Sequence, residues 1–183
     1  GASWALLASN RTDQAKVKID ECRSIMGSVP MEHELHQEVM LLYADVLVGV
    51  CDYQRAKSCF EDILAKLRPD PESKPIDFGT VLYKFGRLCF VLGDTELARR
   101  TLDECVRWKL QIDEKSRVLS AALGILGDIN WELGRTAAAK ERYEAAVSTL
   151  HSLRCAEQHL DYRLLQGKVQ FLRNDIAKCR ESF

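Results

Sequence analysis

Residues 88–106 read LCFVLGDTELARRTLDECV, and residues 129–147 read INWELGRTAAAKERYEAAV. In each stretch an apolar segment ends near a glycine, a turn follows, and a small alanine lies near the start of a second apolar segment. This alanine occurs four times, at separations of 41, 42 and 41 residues: Ala15, Ala56, Ala98 and Ala139. A larger apolar side chain follows each alanine four residues later, at Ile19, Phe60, Leu102 and Tyr143. Self-similarity at such a period predicts an array of stacked structural repeats.

Each repeat is predicted to contain two helices, because its apolar residues recur at steps of three and four. The second helices carry the alanines, and the first helices are expected over about residues 31–48, 76–91, 114–132 and 155–172. Asp94 and Thr136 follow turn signals and are predicted to be N-caps, which accept a hydrogen bond from an unpaired backbone N–H. The alanines are expected where antiparallel helices meet, since a larger side chain would overpack that contact.

The pattern predicts a single all-α domain over residues 1–183, with repeats at about 1–27, 28–70, 71–112, 113–153 and 154–183. The loop RPDPESKP, residues 68–75, interrupts the pattern without shifting its period, so it does not mark a domain boundary. A capping repeat usually has a polar outer face. The two ends are apolar instead, at Trp4, Leu6 and Leu7 and at Phe171 and Leu172. We therefore expect a fragment of a longer solenoid.

Composition excludes several classes of function. The 26 basic and 27 acidic residues are interspersed and form no basic stripe, so a nucleic-acid partner is not expected. The most apolar run, residues 39–51, contains Asp45 and is too short to span a bilayer. The seven cysteines are odd in number and form no CxxC pair, which argues against a disulfide framework and a structural zinc site. This usage is typical of a reducing compartment and predicts a cytoplasmic or nuclear location.

The repeats resemble the tetratricopeptide repeat (TPR). The small residue of that family's first helix is matched by Ala44, Gly86 and Gly127, and its turn glycine by Gly93 and Gly134, with Cys51 in that place once. The family's second helix is matched most closely by Ala139, Tyr143 and Ala146. The usual repeat has 34 residues, and longer ones are known in kinesin light chains and in large scaffold subunits of the cell-cycle machinery. The resemblance implies antiparallel helix pairs stacked into a right-handed superhelical solenoid.

The resemblance also implies a concave groove lined by the first helices. The family's groove positions map to Leu41, Asp45 and Val48; Tyr83, Arg87 and Phe90; Gly124, Asp128 and Trp131; and Tyr162, Gln166 and Val169. From these we predict a partner-binding set of eight residues: Asp45, Tyr83, Arg87, Phe90, Asp128, Trp131, Tyr162 and Gln166. Aromatic residues and arginine are frequent hot spots of binding. For Tyr83 and Phe90, packing against the neighbouring repeat is an equal alternative.

The predicted function is a non-enzymatic scaffold that binds a protein or peptide partner in the groove or packs inside a larger multiprotein complex. Some members of the family clamp a C-terminal carboxylate with several basic groove residues. Asp45 and Asp128 would repel such a group, so we do not expect a partner of that kind. An alternative is a self-associating segment that forms a homodimer or stacks on further repeats of the same chain.

An enzymatic alternative rests on histidine and cysteine spacing. His151, Cys155 and His159 lie four residues apart, so one helix face could hold a metal or a thiol nucleophile with its base. His33 and His36, with Glu32, form a second possible metal pair. The first set lacks an obvious fourth ligand, the second is also explained as a solvated first helical turn, and no phosphate-binding or catalytic motif occurs. We therefore expect no enzyme activity, no metal and no cofactor.

Overall fold

The computed structural model describes residues 34–68, 77–112, 116–153 and 160–173, and single helical positions at 17, 20, 21, 24 and 27. Within the four ranges all regular structure is helical: α1 (Glu34–Gly49), α2 (Tyr53–Leu67), α3 (Phe78–Val91), α4 (Thr95–Gln111), α5 (Arg117–Glu132), α6 (Thr136–Ser152) and α7 (Leu160–Leu172). The chain forms two compact units, a first unit of Gly1–Leu92 and a second unit of Gly93–Phe183. The four predicted first helices correspond to α1, α3, α5 and α7.

The turns before α2, α4 and α6 share one backbone conformation. Their left-handed residues are Cys51 (φ 62°), Gly93 (φ 79°) and Gly134 (φ 71°). At the first and third of these turns the chain closes as a Schellman motif: the N–H of Asp52 bonds to the carbonyl of Leu47 at 2.9 Å, and that of Arg135 to Asn130 at 2.8 Å. Cys51 thus takes the place of the turn glycine, in a conformation that costs a side-chain-bearing residue roughly 1–2 kcal/mol.

Side-chain capping explains where most helices begin. Asp94 accepts a hydrogen bond from the N–H of Leu97, as predicted, and Asp52, Asp77 and Ser116 cap α2, α3 and α5 in the same way. The prediction for Thr136 is wrong. The N-cap of α6 is Arg135, which makes no capping bond, and Thr136 is the first helical residue. At α6 the turn decides the position, because the residue directly after the left-handed Gly134 is the N-cap although its side chain makes no capping bond.

In the first unit, α2 packs against both α1 and α3. The small residues Ala44 and Ala56 are 0% exposed, which lets the helix backbones approach. Phe60 of α2 lies against Phe85 of α3, with ring centroids 6.3 Å apart. The predicted alanine of this unit is therefore at a buried helix contact, whereas Ala15 lies outside the described residues.

In the second unit, α5 packs against α4 and α6, and α6 packs against α7. Ala98 and Ala139 are again 0% exposed. The hydroxyl of Ser120 donates to the carbonyl of Ala146 at 2.9 Å, which joins α5 to α6. A Cβ atom at Gly127 would overlap the ring of Tyr143, so only glycine permits this approach of the two helices.

Candidate partner-binding surface

Asp45 and Arg87, two of the predicted groove residues, lie together in the first unit. They line a pocket of about 330 Å³ whose apolar walls include Val48, Leu88 and Val91. Lys84 of α3 forms an ion pair with Asp45 of α1, and their side chains are 29% and 17% exposed. Arg87 is exposed and makes no ion pair with any described residue. We name this site the Arg87 pocket.

Asp128 and Trp131 lie together in the second unit, in a smaller pocket of about 240 Å³ that Phe171 and Leu172 also line. Trp131 and Phe171 are 46% and 56% exposed. Their rings meet edge to face, with centroids 5.9 Å apart and planes at 74°. This geometry suits the quadrupoles of two aromatic rings. We name this site the Trp131 pocket.

The polar side of the Trp131 pocket is a closed network around Asp128. Its carboxylate accepts a hydrogen bond from the Tyr143 hydroxyl at 2.6 Å and forms an ion pair with Lys168. The Lys168 ammonium also lies 5.2 Å from the centroid of the Tyr143 ring. Burial, followed by the hydrogen bond to Asp128, raises the pKa of Tyr143 well above its ordinary value. The phenol therefore stays protonated and remains a donor.

The two aspartates are paired rather than free. The Asp45–Lys84 and Asp128–Lys168 pairs join helices that are next but one along the chain, at sequence separations of 39 and 40 residues. Arg142 and Asp103, 39 residues apart, join α4 and α6 in the same way at 3.2 Å. The sequence predicts that Asp45 and Asp128 repel a carboxylate of a partner. That prediction is wrong, because a lysine in direct contact balances each charge.

The predicted register of α7 is also wrong. Lys168 pairs with Asp128 as Lys84 pairs with Asp45, so Phe171 occupies the place in the second unit that Arg87 has in the first. Gln166, which the sequence placed there, instead lines a separate pocket of about 440 Å³ with residues of α6. Tyr162 is partly buried and lines none of the three pockets. The sequence placed Gln166 only 38 residues after Asp128, a shorter step than the 41 or 42 residues that separate the alanines of the earlier repeats.

The remaining groove positions are placed as follows. Tyr83 and Phe90 are partly buried and line none of the three pockets. Gly124 is buried, and a Cβ atom there would lie 3.2 Å from Cδ2 of Leu165. Val169 is buried as well. The sequence missed Phe171 as a pocket residue, although the recurring Asp–Lys separation would have identified it.

The described residues hold no metal-binding cluster of three or more His, Cys, Asp and Glu side chains. His151 is exposed and His36 is buried. Their proposed companions His33, Glu32, Cys155 and His159 lie outside the described residues, so these two hypotheses keep only one placed histidine each. None of the described helices is long and apolar enough to cross a bilayer.

A family model for the tetratricopeptide repeat matches residues 120–149, which include Asp128, Trp131 and Tyr143. The structure is similar to BtubC (BKLC) from P. vanneervenii, with a TM-score of 0.78 and 14% identity over 98% of this chain and 73% of that one. It is similar to a putative kinesin light chain with nearly identical TPR-like repeats from Podosopora anserina, with a TM-score of 0.75 and 14% identity over 99% and 86%.

MamA from Desulfovibrio magneticus RS-1 is similar with a TM-score of 0.61 and 19% identity, over 100% of this chain and 87% of that one. No curated protein sequence matches significantly. The resemblance to the tetratricopeptide repeat and the all-α helical repeat fold are thereby confirmed. Folds of this class generally serve as protein-interaction scaffolds, because stacked repeats present extended binding surfaces.

Proposed function

We propose that this chain, a helical repeat protein of the TPR class, is a non-enzymatic protein-interaction module that binds a partner polypeptide through the Trp131 pocket. The observation that carries this proposal is the exposed aromatic pair. Trp131 and Phe171 contact each other edge to face while about half of each side chain remains open to water. Large aromatic side chains are the residues that most often dominate the energy of an interface.

The energy available at this pocket is that of a binding hot spot. An enclosed aromatic side chain buries about 150–250 Å², so covering the exposed half of each ring removes roughly 100 Å² from water. At about 25 cal/mol per Å² this contributes roughly 2–3 kcal/mol per ring. An apolar side chain of the partner gains the most binding free energy here. The polar groups at the edge of the pocket already pair with each other in the network around Asp128.

The size of the pocket favours a polypeptide over a small-molecule ligand. Its volume of about 240 Å³ lies below the roughly 300–1,000 Å³ of typical small-molecule sites. One large aliphatic or aromatic side chain of a partner suits this space. The proposed partner segment therefore carries an exposed apolar anchor residue.

Affinity capture from cell extract tests the proposal with the wild-type chain and two variants, Trp131→Ala and Phe171→Ala. The matched control is Leu164→Ala, since Leu164 lies on the same helix as Phe171, is 42% exposed and lines none of the three pockets. A captured partner should bind the wild type and the control alike and bind either aromatic variant about 30-fold more weakly. Equal binding by all four proteins would refute the assignment of this pocket.

The same variants distinguish self-association of this chain from the binding of a different partner. Light scattering over a concentration series reports a dimer directly. If the wild type dimerises and Phe171→Ala does not, then a second copy of the chain covers the aromatic pair, and the heterologous partner is ruled out for this pocket.

A further inference from the structure

We infer that the Arg87 pocket binds an acidic side chain within a partner polypeptide, with the Arg87 guanidinium as its counter-ion. The inference rests on the proposed role as an interaction module but concerns a different unit and a different chemistry from the Trp131 pocket. It begins with the charge of the pocket. Asp45, Lys84 and Arg87 are the charged residues that line it. Lys84 and Asp45 neutralise each other, so one positive charge remains.

Among the residues that the structure describes, no carboxylate pairs with Arg87. Helix α3, FGTVLYKFGRLCFV, contains no acidic residue, so no intrahelical partner exists three or four positions away. Asp45 is held by Lys84. The other acidic side chain near the end of α1, Asp52, caps α2 and pairs with Arg55 at 3.3 Å. The guanidinium therefore keeps five N–H donors in a planar fork that suits a carboxylate.

The walls of the pocket define the rest of the occupant. Val48 of α1 and Leu88 and Val91 of α3 give the site apolar sides, and Val91 is 59% exposed. Because α1 and α3 each supply an apolar wall, the pocket would contact aliphatic residues of the partner on both sides of its acidic residue. A glutamate or aspartate inside a segment has such neighbours, whereas a chain terminus has them on one side only. The single net charge also matches a carboxylate better than a doubly charged phosphate.

A short probe tests this inference on the full chain. We would titrate the ¹⁵N-labelled protein with the capped peptide acetyl-Gly-Leu-Glu-Leu-Gly-amide and follow the Nε–H signal of Arg87 together with the amides of Val48 and Val91. The same titration with glutamine in place of glutamate gives the charge dependence. We expect binding in the millimolar range and about three- to fivefold weaker for the glutamine peptide, the scale of a partly exposed ion pair.

A double-mutant cycle assigns the charge dependence to Arg87. In Arg87→Gln the two peptides should bind equally, because the interaction between the two charges is absent. Lys66→Gln is the matched control, since Lys66 is exposed on α2, lies outside the pocket and carries the same charge. This control should keep the preference for glutamate. Added salt should reduce that preference in the wild type.

Four results would overturn the inference: no signal change at Arg87, equal binding of both peptides by the wild type, a glutamate preference that survives Arg87→Gln, or binding of only acetyl-Gly-Leu-Gln-Leu-Gly with a free C-terminal carboxylate. The last would make the occupant a chain terminus. Failure here is distinguishable from failure of the proposed function, which is read from the Trp131 and Phe171 variants.

Discussion

Replacing Gly127 by alanine should destabilise the second unit, because the added methyl group would overlap the ring of Tyr143. Gly127 is buried on α5 and faces this ring on α6. The ring is not free to turn aside. Its hydroxyl donates to Asp128 at 2.6 Å, and the ammonium of Lys168 lies 5.2 Å from its centroid. Relief of the clash therefore requires movement of a helix or loss of the hydrogen bond.

The magnitude follows from two opposing effects. Overpacking of a core contact costs about 1–3 kcal/mol, while alanine gains roughly 1 kcal/mol over glycine in a helix interior. Gly124→Ala on the same helix makes the same change in helix propensity as Gly127→Ala. Comparison of the two variants therefore isolates the cost of overpacking. Its added methyl group would meet only the end of the Leu165 side chain, at 3.2 Å. We expect Gly127→Ala to be less stable than Gly124→Ala by about 1–3 kcal/mol.

Urea unfolding followed by far-ultraviolet circular dichroism measures this difference in the free energy of unfolding. The same pair of glycine variants in a Tyr143→Leu background completes the cycle, and the difference should shrink there because the ring is gone. The explanation fails if Gly127→Ala is as stable as Gly124→Ala. It also fails if the difference is unchanged without the Tyr143 ring.

Three further predictions concern the second unit. Ala139→Phe should cost about 3 kcal/mol or more at a position that is 0% exposed, whereas Ala137→Phe on the exposed face of the same helix should leave thermal unfolding nearly unchanged. Arg135→Asp should stabilise the chain by about 0.5–2 kcal/mol, because it supplies the missing cap of α6; an unchanged urea midpoint would contradict this. The pKa of Tyr143 is raised above its ordinary 10.0, so the stability it adds over Tyr143→Phe should be present below that pH. The advantage should fall by about 1.4 kcal/mol per pH unit above it, as the unfolded phenol ionises first, and a constant difference in the free energy of unfolding would contradict the assignment.

Local chemistry explains what the sequence predicted correctly. The turn before each second helix requires a left-handed residue, and the predicted positions Cys51, Gly93 and Gly134 all adopt it. Buried helix contacts require small side chains, and Ala98 and Ala139 are at such contacts. These requirements act within a few residues of the chain, or between helices joined by a short turn, so residue type and spacing reveal them.

The pairing of charges depends on packing that residue type does not reveal. Asp45 meets Lys84, and Asp128 meets Lys168, across helices that are not consecutive along the chain. Whether an aspartate on a first helix faces solvent or its neighbour depends on how those helices are set against each other. The same dependence placed Phe171, rather than Gln166, beside Trp131. The prediction therefore named the helices that line the two pockets but not which of their side chains are paired within the chain.

The ion pair between Asp128 and Lys168 has a consequence for how the second unit opens. If α7 separates from α5, the carboxylate beside the buried Tyr143 ring loses its counter-ion, and the edge-to-face contact of Trp131 with Phe171 is lost in the same step. Detachment of α7 therefore loses two favourable interactions, the ion pair and the ring contact. The contacts to α5, added to the packing on α6, should accordingly slow the exchange of the backbone amides of α7 with deuterium.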